Sequence, residues 1–153
     1  MDTSSLYKVR NSTSPVSVGQ TKEPVQKVAD LAGRFLLAVL FLLSGLGKIG
    51  AYAGTVAYMA SVGVPGALLP FVIATEVLGA LAIIIGWKTR ITAFLLAGFA
   101  LLTALLFHNR LGDQIQIIMF LKNLSIAGGF LLLVANGAGP LSVDRRLAKQ
   151  GRA

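Results

Sequence analysis

The sequence predicts an all-α membrane protein, a bundle of four transmembrane helices, and three observations predict it. Of the 153 residues, 55% are hydrophobic and 13% are charged, so the chain is far more apolar than an ordinary globular domain. The apolar residues occur in continuous blocks rather than at the spacing of an amphipathic helix or strand. Lysine and arginine collect beside alternate connections between these blocks, as in multi-pass membrane proteins.

The blocks define four spans, at about 28–49, 66–87, 91–107 and 115–136, within a transmembrane domain that covers residues 28–137. Residues 1–27 are rich in Ser and Thr near their start and are predicted to form a disordered cytoplasmic tail. Residues 138–153 are predicted to form a basic cytoplasmic tail that contains a short surface helix with Ser142 as its N-cap. Between the first two spans, residues 50–64 are moderately apolar and predict a short interfacial helix, lying at the membrane surface or packed over the mouth of the bundle.

The first span is short for a bilayer. Its uninterrupted apolar core, residues 35–47, is ~20 Å long at the helical rise, against a hydrocarbon thickness of ~30 Å. Arg34 and Lys48 stand at its two ends, where long side chains can reach the headgroups. We therefore expect both residues to be interface anchors. Asp30 is four residues before Arg34 and could pair with it on the same helix.

The distribution of basic residues predicts that both termini face the cytoplasm. Ten of the fourteen Lys and Arg residues fall on one side of the four spans: Lys8, Arg10, Lys22, Lys27, Lys88, Arg90, Arg145, Arg146, Lys149 and Arg152. Only Lys48 and Arg110 fall on the other side. Because cytoplasmic loops carry the excess of positive charge, the predicted topology is N-in and C-in.

Composition also excludes several classes of function. The chain has no cysteine and one histidine, His108, which excludes a disulfide, a cysteine nucleophile, a Cys/His zinc site and a bis-histidine haem within the chain. We expect no bound metal and no covalently bound cofactor. The net charge of +8 comes without interleaved aromatic and basic residues, so we expect the lipid bilayer as partner and no nucleic acid.

Lys122 is the most informative residue, because it interrupts the fourth span. A lysine at mid-helix in hydrocarbon costs about 2.5–3.5 kcal/mol and usually has a partner or lines a polar cavity. Glu76 is the one charge inside the second span. At the helical rise, Glu76 lies ~15 Å and Lys122 ~10 Å below the same surface. These depths predict a Glu76–Lys122 ion pair, which could equally be a structural pair that fixes helix register.

Other polar residues end or flank the spans on that same side, and they predict a pocket that opens outward. The predicted pocket residues are Glu76, Lys122, Asn123, Lys48, His108 and Asn109. All four spans contribute to this set. A hydrogen-bonding role at a helix end is favoured for His108 over proton transfer. No catalytic residue can be named from the sequence.

Several stretches resemble the DoxX family of small bacterial and archaeal membrane proteins. They are GRFLLAVLFLLSGLGKI (33–49), GVP (63–65), EVLGALAIIIGWKTR (76–90), FHNR (107–110), QIIMFLKNLSIAGGFLLL (116–133) and GAGPLSVDRRL (137–147). The resemblance implies a four-helix bundle in the plasma membrane. It also implies association with redox enzymes, because the family is named after a subunit of an archaeal thiosulfate:quinone oxidoreductase. A quinone is the lipophilic cofactor that this resemblance implies.

Three functions are consistent with these features. The favoured one is a membrane subunit of a quinone-linked oxidoreductase complex in sulfur or redox-stress metabolism, with redox-enzyme subunits as partners. The first alternative is a non-catalytic membrane scaffold whose charges serve packing. The second is a small-molecule transport module, which would require a homo-oligomer because one four-helix bundle offers little room and no inverted repeat is visible.

Overall fold

A computed structural model describes residues 24–151 of the chain. Over this range the protein is helical and contains no strand. The elements are α1 (Pro24–Gly50), α2 (Tyr52–Ser61), a 3₁₀ turn (Gly66–Leu68), α3 (Leu69–Ile85), α4 (Thr89–Phe107), α5 (Gln114–Asn136) and α6 (Val143–Gln150). Most of the tail expected at residues 1–27, and Arg152, lie outside the described residues.

Four of these segments are long and apolar enough to cross a bilayer. They are Pro24–Gly50, Gly66–Ile85, Thr89–Phe107 and Gln114–Asn136, with 27, 20, 19 and 23 residues. At a rise of about 1.5 Å per residue, even the 19-residue helix spans roughly 28 Å, close to the hydrocarbon thickness. The all-α class and the four spans predicted from the sequence are therefore confirmed. Helix α1 is longer than expected because it begins at Pro24, a residue suited to a first helical turn.

The bundle is built from two closely packed pairs of helices. Helix α1 packs mainly on α3, α4 packs mainly on α5, and α3 and α4 join the pairs, whereas α1 and α5 meet over a short length. The buried core is rich in alanine and holds two large aromatic rings: Ala38, Phe41, Ala80, Ile83, Ala93, Leu96, Ala97, Ala100, Ala127 and Phe130. Small side chains let helix backbones approach closely, which is how helices associate in lipid.

One glycine fixes the α1–α3 contact next to the candidate site. A methyl group on Gly45 would lie 2.7 Å from Val77 Cγ2 and 3.1 Å from Glu76 Cβ, so only glycine permits this approach of the two helices. Glu76 is thereby held against α1. An adjacent face of α3 is close to α4 at Gly79, which lies against Leu96.

The two ends of the bundle are built from different elements. The α2 end holds α2, the end of α1 and the α4–α5 connection. The α6 end holds the start of α1, the α3–α4 turn and α6.

Arg34 organises the α6 end. Its side chain is completely buried, so the expectation that it anchors the span by reaching the headgroups is wrong. Nη1 donates to the carbonyls of Ile83 and Ile84 at 3.3 Å each, and Nη2 donates to the carbonyl of Leu141 at 2.6 Å. Both of the first two carbonyls belong to the last turn of α3, where a helix lacks enough backbone donors for its carbonyls; the Ile83 carbonyl also accepts from Gly86 N–H at 3.2 Å. One guanidinium thus ties α1 to α3 and to the segment before α6.

Asp144 adds a second connection at this end. Its carboxylate accepts from the backbone N–H groups of Lys88 at 2.7 Å and Thr89 at 2.9 Å, so it caps the start of α4 from another helix. Lys88 has φ 44°, a left-handed conformation that costs a non-glycine residue energy, and its own side chain does not cap the helix. Ser142 caps α6, as expected, by accepting from Arg145 N–H.

We predict that Arg34→Met lowers the free energy of unfolding by about 2–4 kcal/mol, because three buried or part-buried carbonyls each lose a charged donor. Arg34→Lys should lose most of this stability as well, because the ammonium of lysine cannot reproduce the planar guanidinium's hydrogen bonds to three carbonyls. Thermal unfolding in mild detergent, followed by circular dichroism, measures the change. Arg110→Met, at an exposed position in the α4–α5 connection, is the matched control and should change stability by less than about 0.5 kcal/mol. Equal melting temperatures for Arg34→Met and the control would contradict the role given to Arg34.

Candidate functional site

A cavity of about 260 Å³ lies inside the bundle near its α2 end. All four spans line it, and α2 covers it. Four aromatic rings form much of its wall: Phe41, Tyr58, Phe99 and Phe107. Its polar lining consists of Ser44, Lys48, Thr55, Glu76, Thr103, His108, Lys122 and Asn123. The cavity therefore joins an apolar chamber to a small group of charges.

Lys48 and Glu76 form an ion pair at the cavity wall. Lys48 Nζ donates to both carboxylate oxygens of Glu76 at 2.8 Å. Ser44, one turn earlier on α1, accepts from Lys48 Nζ at 2.6 Å and donates to Glu76 Oε1 at 3.2 Å. The Glu76 side chain is 6% exposed and that of Lys48 is 25% exposed. The pair therefore bridges α1 and α3 in a largely dehydrated position, where an unpaired charge would be costly.

This pairing corrects two predictions. Glu76 was expected to pair with Lys122, and Lys48 was expected to be an interface anchor, yet the two pair with each other. Depth estimates gave the level of each residue along the bundle but not the direction it faces around its helix. Because α3 packs on α1 through Gly45, Glu76 faces α1 and meets Lys48 there.

Lys122 lies across the cavity on α5. Its ammonium contacts Met119 Sδ at 3.2 Å, a weak acceptor, and its side chain is exposed at the cavity rim. Among the residues that the structure describes, no ion pair involves Lys122. It is the cation in this cavity whose charge is not balanced by a neighbouring carboxylate.

The remaining predicted residues separate into two groups. Asn123 and His108 line the cavity; the Asn123 side chain donates to Met119 O at 3.1 Å, and His108 Nδ1 lies 3.0 Å from Gln116 Oε1. Asn109 instead lines a second cavity of about 440 Å³ at the α2 end. The first cavity is thus lined by five of the predicted residues, namely Lys48, Glu76, His108, Lys122 and Asn123. The sixth, Asn109, lines the second cavity.

An aromatic pair separates the two cavities, and sequence reasoning did not identify it. Tyr58 and Phe107 stack with ring centroids 5.6 Å apart and line both spaces. A signal for Tyr58 was present in the sequence. Thr55, Tyr58 and Met59 have the spacing of one helix face, and this face of α2 covers the cavity. Ser44, one turn before Lys48, was also missed.

Residues 24–151 contain no group of three or more His, Asp or Glu side chains placed to hold a metal ion. The donor set of the cavity is instead two ammonium groups, one carboxylate, a histidine and neutral hydroxyl and amide groups. Such a set can orient and stabilise an organic group that carries partial or full negative charge, and it can exchange protons with that group.

Comparison with known proteins decides the family. The profile of the DoxX family matches residues 29–109, which is more than half of the chain and includes the paired Lys48 and Glu76. The chain belongs to the DoxX family. The match ends before α5, so it does not include Lys122 or Asn123.

Two Escherichia coli K12 proteins are similar to the chain over most of their length. Inner membrane protein YqjF is 50% identical over 126 residues, which cover 82% of this chain and 97% of YqjF. Inner membrane protein YphA is 41% identical over 123 residues, which cover 76% of this chain and 88% of YphA. No solved structure shows significant similarity to the chain. The four apolar helices and these relatives identify a multi-pass membrane protein.

We predict that a double-mutant cycle will detect coupling between Lys48 and Glu76 and none between Lys122 and Glu76. Residues in direct contact typically couple by about 0.5–3 kcal/mol in unfolding free energy. The variants are Lys48→Met, Glu76→Gln and their combination, with Lys122→Met and its combination with Glu76→Gln as the matched control cycle. Unfolding in detergent measures each stability. A larger coupling for Lys122 than for Lys48 would show that Glu76 pairs across the cavity after all.

Proposed function

We propose that this DoxX-family protein is the membrane subunit of a quinone-linked oxidoreductase complex, and that its aromatic-walled cavity binds the quinone head group. The observation that carries the proposal is the cavity itself. It combines four aromatic rings with a buried ion pair and a cation, Lys122, that pairs with no carboxylate among residues 24–151. The redox partner and its place in sulfur or redox-stress metabolism belong to the same proposal and rest on what the resemblance to the DoxX family implies.

The size of the cavity suits a single aromatic ring. An apolar cavity of about 150 Å³ binds benzene, so a space of about 260 Å³ accommodates a substituted six-membered ring. Phe41 and Phe99 meet at 6.2 Å with their planes 59° apart, which presents both ring faces and ring edges to the interior. These surfaces favour a flat apolar head group.

The rim of the cavity suits a ligand that arrives through the lipid. Leu40 on α1 and Lys122 on α5 both line the cavity and are both exposed. Deeper in the bundle, α1 and α5 close together where Phe41 meets Phe130 edge to face at 5.4 Å and where Leu37 covers Gly129. A head group can therefore enter between α1 and α5 while its tail stays in the bilayer.

The charged groups would take distinct roles. Lys122 Nζ would donate to a head-group oxygen and stabilise negative charge that develops there. Lys48, Glu76 and Ser44 form a hydrogen-bonded chain that can hold a proton at Glu76 Oε1 or supply one from Lys48 Nζ. A bound quinone supplies a couple of two electrons and two protons. The electrons must come from the redox centre of a partner subunit, because this chain carries no cysteine and one histidine.

The experiment is a binding titration of the detergent-purified full chain with a short-chain benzoquinone, measured by isothermal calorimetry. We predict saturable binding that weakens about tenfold in Lys122→Met, because a hydrogen bond from a charged donor is lost. Lys88→Met is the matched control, since Lys88 is an exposed lysine at the α6 end, and it should bind like the unaltered protein.

The same preparation, purified in mild detergent, tests the partner. Co-purification of a flavin- or iron–sulfur-containing subunit supports the complex. Absence of saturable binding, or equal weakening by Lys88→Met and Lys122→Met, would overturn the assignment of the cavity. If the protein purifies without such a subunit and still binds the quinone, the assignment of the cavity stands and the proposed oxidoreductase partner is excluded.

A scaffold is the first alternative, and the Lys48–Glu76 pair is the observation that favours it. The pair joins α1 to α3 at their closest approach, so it could serve packing alone. In that case the neutral combination of Lys48→Met and Glu76→Gln should restore both stability and cellular phenotype. Under the quinone proposal, this combination restores stability but leaves quinone binding or reduction impaired.

A transport module is the second alternative, favoured by the two cavities that share Tyr58 and Phe107. Tyr58→Ala would join them into one passage. If the protein transports a small molecule, this variant should change flux into liposomes. Unchanged flux in Tyr58→Ala, Glu76→Gln and Lys122→Met liposomes would exclude the pocket as a route.

We also propose the topology with both termini in the cytoplasm and α2 at the opposite interface. The absence of native cysteine permits single-cysteine labelling without background. We predict that a membrane-impermeant maleimide labels a Ser61→Cys variant in intact cells. A Lys149→Cys variant, on exposed α6, should be labelled only after the membrane is permeabilised. The reverse pattern would invert the topology.

A further inference from the structure

Helix α6 has two chemically different faces. At 100° per residue, Val143 and Leu147 fall on one side of the helix, Arg145 and Lys149 fall on the other, and Arg146 lies at the border between the two sides. The three basic residues are exposed, and Leu147 is exposed as well. Within the part of the chain that the structure describes, no ion pair involves any of the three. Short basic helices with one apolar side are typical of membrane surfaces.

The position of α6 is fixed by the bundle rather than by a free linker. Asp144 N–H donates to Gly86 O at 2.9 Å, while the Asp144 carboxylate caps Lys88 and Thr89. Leu141 is bound by buried Arg34. These bonds hold the first turn of α6 against the α3–α4 turn, at the level where α3 ends and α4 begins. Because both helices are long and apolar enough to span a bilayer, we expect the boundary between hydrocarbon and headgroups at this level.

The surface around α6 is strongly positive. The exposed or half-buried basic residues at the α6 end are Lys27, Lys88, Arg90, Arg145, Arg146 and Lys149. The described acidic residues at this end are Asp30 and Asp144, and both are half-buried against other parts of the protein. Asp30 lies against Gly139, and Asp144 bonds backbone N–H groups of α4. Little negative charge therefore screens the basic residues from the membrane surface.

We propose that α6 and the neighbouring α3–α4 turn form a binding surface for anionic phospholipid headgroups. The guanidinium groups of Arg145 and Arg146 and the ammonium of Lys149 would bind lipid phosphates. Leu141 and Leu147, each about half exposed, would enter the boundary between headgroups and acyl chains. The surface selects lipids by charge and is independent of the cavity at the α2 end.

Trp87 provides a probe at the right place. It is the one tryptophan of the chain, it is 45% exposed, and it lies between Gly86 and Lys88, the two residues that bond Asp144. A lipid with a brominated acyl chain quenches tryptophan fluorescence on contact. The full chain is reconstituted in phosphatidylcholine vesicles that contain either brominated phosphatidylglycerol or brominated phosphatidylcholine. The ratio of quenching then reports the lipid composition beside the α3–α4 turn.

We expect brominated phosphatidylglycerol to quench Trp87 at about a fivefold lower mole fraction than brominated phosphatidylcholine at 0.1 M salt. Replacing Arg145, Arg146 and Lys149 together by glutamine should reduce this preference to about twofold or less. Glutamine keeps helix propensity, and Ser142 and Asp144 remain in place to cap. The matched control is Arg110→Gln, which removes a charge at the α2 end and should leave the preference unchanged.

Salt provides a second measurement that needs no variant. At 1 M salt the screening length falls to about 3 Å, so the preference of the unaltered protein should fall towards one. Equal quenching by both brominated lipids at low salt would overturn the proposal and favour an acidic protein partner for this surface. A preference that the triple glutamine variant or 1 M salt leaves intact would also overturn it.

Discussion

A charged side chain inside a bilayer needs a partner from the protein itself, and this requirement organises both ends of the bundle. At the α6 end, the buried guanidinium of Arg34 donates hydrogen bonds to carbonyls of α3 and of the segment before α6. At the α2 end, Lys48 and Glu76 neutralise each other across the α1–α3 contact. These contacts therefore join α1 to α3 at both ends of the bundle and tie the segment before α6 to the same pair of helices.

The cavity follows from the same arrangement. Helices α1 and α3 are drawn together by glycine and by the ion pair, and α4 and α5 form the other close pair, so space remains where the pairs meet near the α2 end. Large aromatic rings and α2 border this space instead of filling it. Lys122 faces this space, and within residues 24–151 its one side-chain partner is the thioether of Met119. Under the proposed function, this cation is the group that binds an electron-rich oxygen of the ligand.

The class and the number of spans could be predicted because block hydrophobicity and span length are properties of the chain itself. Residue depth was also predictable, which is why five of the six expected polar residues meet around one cavity. The partner of Glu76 could not be predicted, because the depth of a residue does not give the direction in which it faces around its helix axis. The burial of Arg34 was missed for a similar reason: its partners are carbonyls of Ile83, Ile84 and Leu141, far away in sequence.

The sequence by itself determined a four-span α-helical membrane protein, the absence of thiol chemistry within the chain, and the levels at which charges enter the membrane. Only the tertiary structure decided that Lys48, and not Lys122, neutralises Glu76, that Arg34 is a buried connector, and that Tyr58 and Phe107 stand between two cavities. A lipid bilayer favours long apolar segments whatever their tertiary contacts, so the spans can be recognised from the sequence alone. Which charged side chains pair depends on how each helix is rotated about its axis and on how closely the helices pack. Gly45 sets both at the contact between α1 and α3, and that contact exists only in the folded bundle.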